Sequence, residues 1–227
     1  MSVRVIPGEI DARDATARTA IPTVAQPRWP PFERIAETIA TPRRRVPQHR
    51  HEGVEVLTYV VEGSATYEFG TGPAEPLSAG SVRLLSAPTS VTHAITPGKG
   101  GTVRSFAVVA QLPAGRIAEV RLQSGQAVAS PVQPDGTILR PIVGPGTSLT
   151  SAVGLAVEAI EYTSLGTVFR KVGHDRVAVI YALSGRGKVD DSALDGGEAA
   201  LVDDAAGVAV QGHPGFRVVW VSAPRPS

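Results

Sequence analysis

The feature that most constrains this sequence is that it spells one pattern twice. Tyr59-Val60-Val61-Glu62-Gly63-Ser64-Ala65 reads against Tyr181-Ala182-Leu183-Ser184-Gly185-Arg186-Gly187. Further on, Leu77-Ser78-Ala79-Gly80-Ser81-Val82-Arg83-Leu84-Leu85 reads against Leu194-Asp195-Gly196-Gly197-Glu198-Ala199-Ala200-Leu201-Val202. Both matches keep the same order and nearly the same separation. Short apolar runs divided by glycine are strands joined by turns. Their recurrence implies an internal duplication. The chain holds 24 glycines and 19 prolines, close to a fifth of its length, where about 12 per cent is ordinary. The expected class is all-β, in two tandem β-domains.

The strand signals fall at 54–61, 65–69, 81–85, 93–95 and 103–110 in the first half. In the second they fall at 138–142, 155–162, 167–171, 177–183, 187–189, 199–202, 208–211 and 216–221. Residues 1–35 read as an irregular arm, with a short helix over 32–39 set against one or two strands. Residues 116–122 read as a further strand or a helical turn. The best linker is 130–136, with Pro131 and Pro134, which divides the chain into 1–132 and 133–227.

Composition removes several function classes. Forty-two per cent of the residues are hydrophobic and 19 per cent charged, enough apolar surface for a core. A net charge of +1 argues against a surface built for nucleic acid. No apolar run approaches the ~18 residues of a membrane span. The absence of cysteine removes disulfides, zinc fingers, iron–sulfur clusters and thiol catalysis together. No apolar signal region follows Met1, so a cytoplasmic protein is expected.

A metal in such a chain is held by His, Asp or Glu. Two of the five histidines stand in His49-Arg50-His51. Alternate residues of a strand share a face, so these imidazoles point together. Glu55 is an even step from His51 and shares that face on a regular strand. His93 opens another expected strand. Imidazole suits iron, nickel, copper, zinc and manganese alike, and a site of three neutral histidines keeps positions open for chemistry. Glu55 also reads as a general base, or as a carboxylate paired with Arg45 or Arg50. The repeat offset puts Lys171, Gly173 and Val210 opposite His49, His51 and His93, so the second half lacks every ligand. His174 and His213 read as loop and turn residues, and Tyr59, Phe69 and Phe106 as packing more than as pocket lining. Arg43-Arg44-Arg45 with Arg50 reads as a charged guard on an edge strand, or as a guide for an anionic substrate.

His49-Arg50-His51-Glu52-Gly53-Val54-Glu55-Val56-Leu57-Thr58-Tyr59, running into Val61-Glu62-Gly63, resembles the first cupin motif of the pirin family, His-Pro-His-Arg-Gly-Phe-Glu-Thr-Val-Thr-Tyr before a Leu-Glu-Gly turn. The stretch from Gly80 to His93 resembles the second motif in its spacing. The resemblance covers roughly residues 40–225. It implies a bicupin, two cupin-type β-barrels face to face, with one metal in the first. It also implies His49, His51 and His93 as ligands and iron(II) as the metal, with manganese, nickel, copper and zinc as alternatives. The family's glutamate ligand lies two residues after the third histidine, where this chain has Ile95. Either Glu55 takes its place, or water does, or metal affinity is weakened. The implied activity is a metal-dependent dioxygenase on a flavonol-like or other enolisable aromatic small molecule. The alternatives are a regulatory module with a protein partner, and a tailoring isomerase or cyclase of secondary metabolism.

Overall fold

The computed structural model describes residues 2–10, 17–99, 101–113, 115 and 117–226. Among these there is no helix, and none that could cross a membrane. The strands of the first half are β1 (Ser2–Pro7), β2 (Glu9–Ile10), β3 (Ala17–Ile21), β4 (Phe32–Ala40), β5 (Val46–His51), β6 (Val54–Phe69), β7 (Glu75–Ser78), β8 (Ser81–Ala87), β9 (Val91–Pro97), β10 (Val103–Gln111) and β11 (Arg121–Gln126). Those of the second are β12 (Thr137–Val143), β13 (Ala156–Tyr162), β14 (Gly166–Lys171), β15 (Arg176–Ser184), β16 (Arg186–Val189), β17 (Ser192–Asp195), β18 (Glu198–Asp203), β19 (Gly207–Gly212) and β20 (Arg217–Pro224). The all-β expectation holds.

The helix reading of 32–39 is replaced by β4. This strand lies between β10 and β3 and is paired on both edges. Ile35 packs into one core from one face, while Ala40 packs into another from the opposite face. The element expected over 116–122 is the strand β11, which begins at Arg121; Arg116 itself lies outside the described residues.

The duplication is visible in the hydrogen bonding. One large sheet runs β11-β8-β6-β10-β4-β3-β2 and the other β1-β18-β15-β20-β13-β12. Six strands correspond position for position. The smaller sheets correspond too: β5, β9, the far half of β6 and β7 match β14, β19, β16 and β17. β1 closes the edge of the second large sheet, from Ser2 opposite Asp203 to Pro7 opposite Glu198. Strand β1 thus pairs with the sheet built by the second half of the sequence.

The sixteen-residue β6 crosses from one sheet to the other. Its bend falls at Gly63, with φ +83°, where a Cβ would stand 2.2 Å from the Thr102 carbonyl oxygen. Gly185, its counterpart, has φ +79° and would meet the Gly215 carbonyl oxygen at 2.7 Å. Only glycine combines that backbone with that approach.

Alternation along each strand divides the core. Leu57, Tyr59, Leu84 and Phe106 face the other half, where they pack with Val179, Tyr181, Leu201 and Val219 between the two large sheets. The second barrel is filled by Tyr162, Val210, Phe216, Trp220 and aliphatic neighbours. The first barrel is lined by two smaller clusters, one around Tyr67 and Ile95, the other around Val56, Leu85 and Val109.

Candidate metal centre

β5 and β9 pair antiparallel with His49 directly opposite His93 and His51 opposite Val91. On its other edge β9 places His93 opposite Phe69 of β6. Directly opposite residues share a face, and Phe69 packs against both clusters of the first barrel. The three imidazoles therefore enter one lumen. One ligand atom from each lies within 4.8 Å of the others. The ring centroids are 4.3 Å apart for His49–His93, 4.8 Å for His49–His51 and 4.9 Å for His51–His93. Nε2 of His51 stands 3.0 Å from Nε2 of His93.

The environment holds two of the three, His51 and His93, in the neutral form. Burial, then His49 and His51, pushes His93 down to about 3. Burial, then His49 and the positive charge of Arg34, pushes His51 down to about 4. Nδ1 of His49 lies 2.9 Å from the Pro47 carbonyl oxygen. Donation of its N–H there leaves Nε2 as the lone pair, the usual way a second bond orients a ligating imidazole. Nδ1 of His93 is buried with no partner among the described residues. Imidazole nitrogens gathered this closely, with no carboxylate among them, fit a divalent transition metal.

The surroundings are apolar with a buried polar floor. The Tyr67 ring is 5.2 Å from that of His93, and the Arg83 guanidinium lies over Tyr67 at 5.9 Å while pairing with Glu75 at 2.8 Å. Ile95 sits between Val46 and Tyr67 in register and is buried. The position two residues after His93 is thus filled by an aliphatic side chain.

Glu55 is not brought to the histidines, which corrects its assignment as ligand or base. Val54 and Val56 face the barrel, while Leu57 and Tyr59 face the other half. Glu55 falls on the latter face, wholly buried. It accepts hydrogen bonds from Ser86 Oγ at 2.9 Å, from the Ala152 amide at 2.9 Å and from Ser151 Oγ. It pairs with neither Arg45 nor Arg50; Arg50 meets Glu52 at the surface. Counting two-residue steps from His51 fails because Gly53, with φ +70°, separates β5 from β6.

Tyr59 and Phe106 belong to the core between the sheets, while Phe69 lines the lumen. His174 meets Asp204 at the surface, 2.9 Å away. Val210 is packed inside the second barrel. Sequence reasoning missed Tyr67, Arg83 and Arg34 as groups facing the lumen; only register reveals them.

A family model described as Pirin matches residues 22–108. The chain is 28% identical over 159 residues to a Pirin-like protein of Caulobacter vibrioides, covering 66% of this chain and 58% of that one. It is 31% identical over 83 residues to Pirin-like protein 2 of Arabidopsis thaliana, covering 37% of this chain and 26% of that one. The matched segment is similar to the pirin family. It matches less than two thirds of the length of either relative. Among solved structures, the chain resembles quercetin 2,3-dioxygenase from Acinetobacter baumannii with a TM-score of 0.85 at 16% identity, covering 98% of this chain and 79% of that one. It resembles the bacterial pirin YhhW in complex with nickel(II) from Escherichia coli with a TM-score of 0.78 at 14% identity, covering 99% and 100%. At these identities the likeness shows a shared bicupin fold.

Proposed function

We propose that this chain is a metal-dependent dioxygenase acting on a flavonol-like or other enolisable aromatic substrate. The observation that carries the reading is the convergence of three imidazoles, two of them held neutral by burial, in one barrel while an apolar cluster fills the other. The names of its structural neighbours, a quercetin dioxygenase and a nickel-bound pirin, support it. His49, His51 and His93 would hold one divalent ion. Iron(II) is the first choice, and manganese, nickel, copper and zinc suit the same donors. A bound ion of this kind supplies Lewis-acid and redox chemistry toward an enolate and dioxygen.

The chain's own part is charge and shape. Three neutral ligands and Ile95 bring no negative charge to the ion, so the site favours a substrate that arrives as, or becomes, an anion. Val56, Leu85 and Val109, buried on the barrel side of the large sheet, make the ground beneath the histidines apolar. With Glu55 turned to the other half, the deprotonation is assigned to no carboxylate.

A second reading, a regulatory or binding module with a protein partner, draws on Ile95, which removes one ligand of the family's set. The two separate on one experiment. Protein reconstituted in turn with iron(II), manganese, nickel, copper and zinc is mixed with quercetin in air, against the same metal without protein. Loss of the visible band with oxygen uptake is expected for at least one metal and is expected to vanish in His51→Ala. No turnover with any of them would leave the module reading.

A further inference from the structure

The first large sheet carries a row of residues that face the same lumen as the histidines. Leu122 is opposite Leu85, Leu85 opposite Val56, Val56 opposite Val109, and Val109 opposite Arg34 of β4. Val56, Leu85 and Val109 form the lumen cluster, with Leu122 packed against it. Opposite residues share a face, so an apolar row ends in a guanidinium. Arg34 is half-buried, and its charge is felt at His51.

Several buried or half-buried arginines of the fold are claimed by carboxylates, whereas Arg176 is held by Gly154 and Ser222 and Arg18 has no ion pair among the described residues. Arg83 pairs with Glu75, Arg104 with Glu37, Arg140 with Glu161, Arg170 with Glu158 and Arg217 with Glu62. Arg34 has neither an ion pair nor a side-chain hydrogen bond among the described residues, and the histidine cluster beside it contains no carboxylate. A half-buried guanidinium at the end of an apolar row, with no acceptor from the protein, is arranged for an acceptor from outside.

We propose that Arg34 is a specificity-determining residue that takes the carboxylate of a planar substrate held at the histidines. The planar fork of arginine matches a carboxylate through two parallel N–H donors, which a neutral amide cannot reproduce. The proposal deepens the dioxygenase reading and rests on it for the substrate's fate. It does not rest on it for the binding of the anion.

The test is calorimetric titration of the full chain with benzoate and with benzamide, with and without one equivalent of nickel(II). Benzoate is expected to bind the wild type more tightly than benzamide. Arg34→Gln is expected to weaken benzoate about tenfold, the effect of losing one charge-assisted pair, and to leave benzamide unchanged. Arg34→Met, which keeps the aliphatic stem, is expected to behave alike. Equal benzoate affinity in wild type and both variants, or no benzoate binding to the wild type in either state, overturns the proposal. Failure of the histidines to take up nickel counts against the dioxygenase reading alone, because the nickel-free titration still reads Arg34.

Discussion

Glu55 and His93 are both buried titratable side chains, and the fold treats them in opposite ways. Glu55 receives three donors from two distant segments, so its carboxyl fastens the loop at Ser151–Ala152 to β6. Glu55→Ala would leave the Ala152 amide and two hydroxyls short of an acceptor, at a cost of about 1–3 kcal/mol. The expected outcome is a lower urea midpoint with metal stoichiometry unchanged; loss of metal at full stability would return Glu55 to the ligand set. His93 and His51, by contrast, are buried as neutral bases. Below the ordinary histidine value of 6.5 the unfolded chain takes up protons that these two refuse until about pH 3 and 4. The folded state therefore loses stability as pH falls through that window and gains nothing from them above it. For chelator-treated protein at about pH 5.5, His93 accounts for about 1 kcal/mol, and the more exposed His51 for less. Urea midpoints across this range should fall with pH, and His93→Gln should flatten the fall.

At the level of elements, the long apolar strands were legible because each buries both faces. Residues 103–110, 177–183 and 199–202 became β10, β15 and β18 with small extensions. The short or polar ones were not legible: β5 reads Val46-Pro47-Gln48-His49-Arg50-His51 and β7 reads Glu75-Pro76-Leu77-Ser78, with too little alternation to mark a face. The paired histidines were legible from spacing within one strand. The face of Glu55 was not, since one turn at Gly53 resets the two-residue count. Nor was Arg34, whose position depends on a register set by strands some seventy residues away in the chain. The bend of β6 supplies a test at this scale. Gly63→Ala puts a methyl group against the Thr102 carbonyl at a positive φ, a strain of about 1–3 kcal/mol. Thermal unfolding should show a clear drop in midpoint, whereas Gly53→Ala, with open space around its Cβ position, should cost less.

Across the whole molecule, the two halves share strand order but not chemistry. They meet through the apolar core between the large sheets and through a buried polar link at its edge. There Tyr181 donates to Glu37 at 2.9 Å, and Arg104 reaches both Glu37 and the Leu183 carbonyl. The second barrel is filled with Tyr162, Phe216 and Trp220 and serves as a fixed backing for the first. What distinguishes the first barrel is the triad, which on the proposed reading holds a metal without a carboxylate. The direct measurement is elemental analysis of the full chain after reconstitution and desalting, beside His51→Ala, His93→Ala and Glu55→Gln. Near-stoichiometric metal in the wild type and in Glu55→Gln, lost from both histidine variants, is the expected result. An empty wild type, or histidine variants that keep their metal, would contradict it.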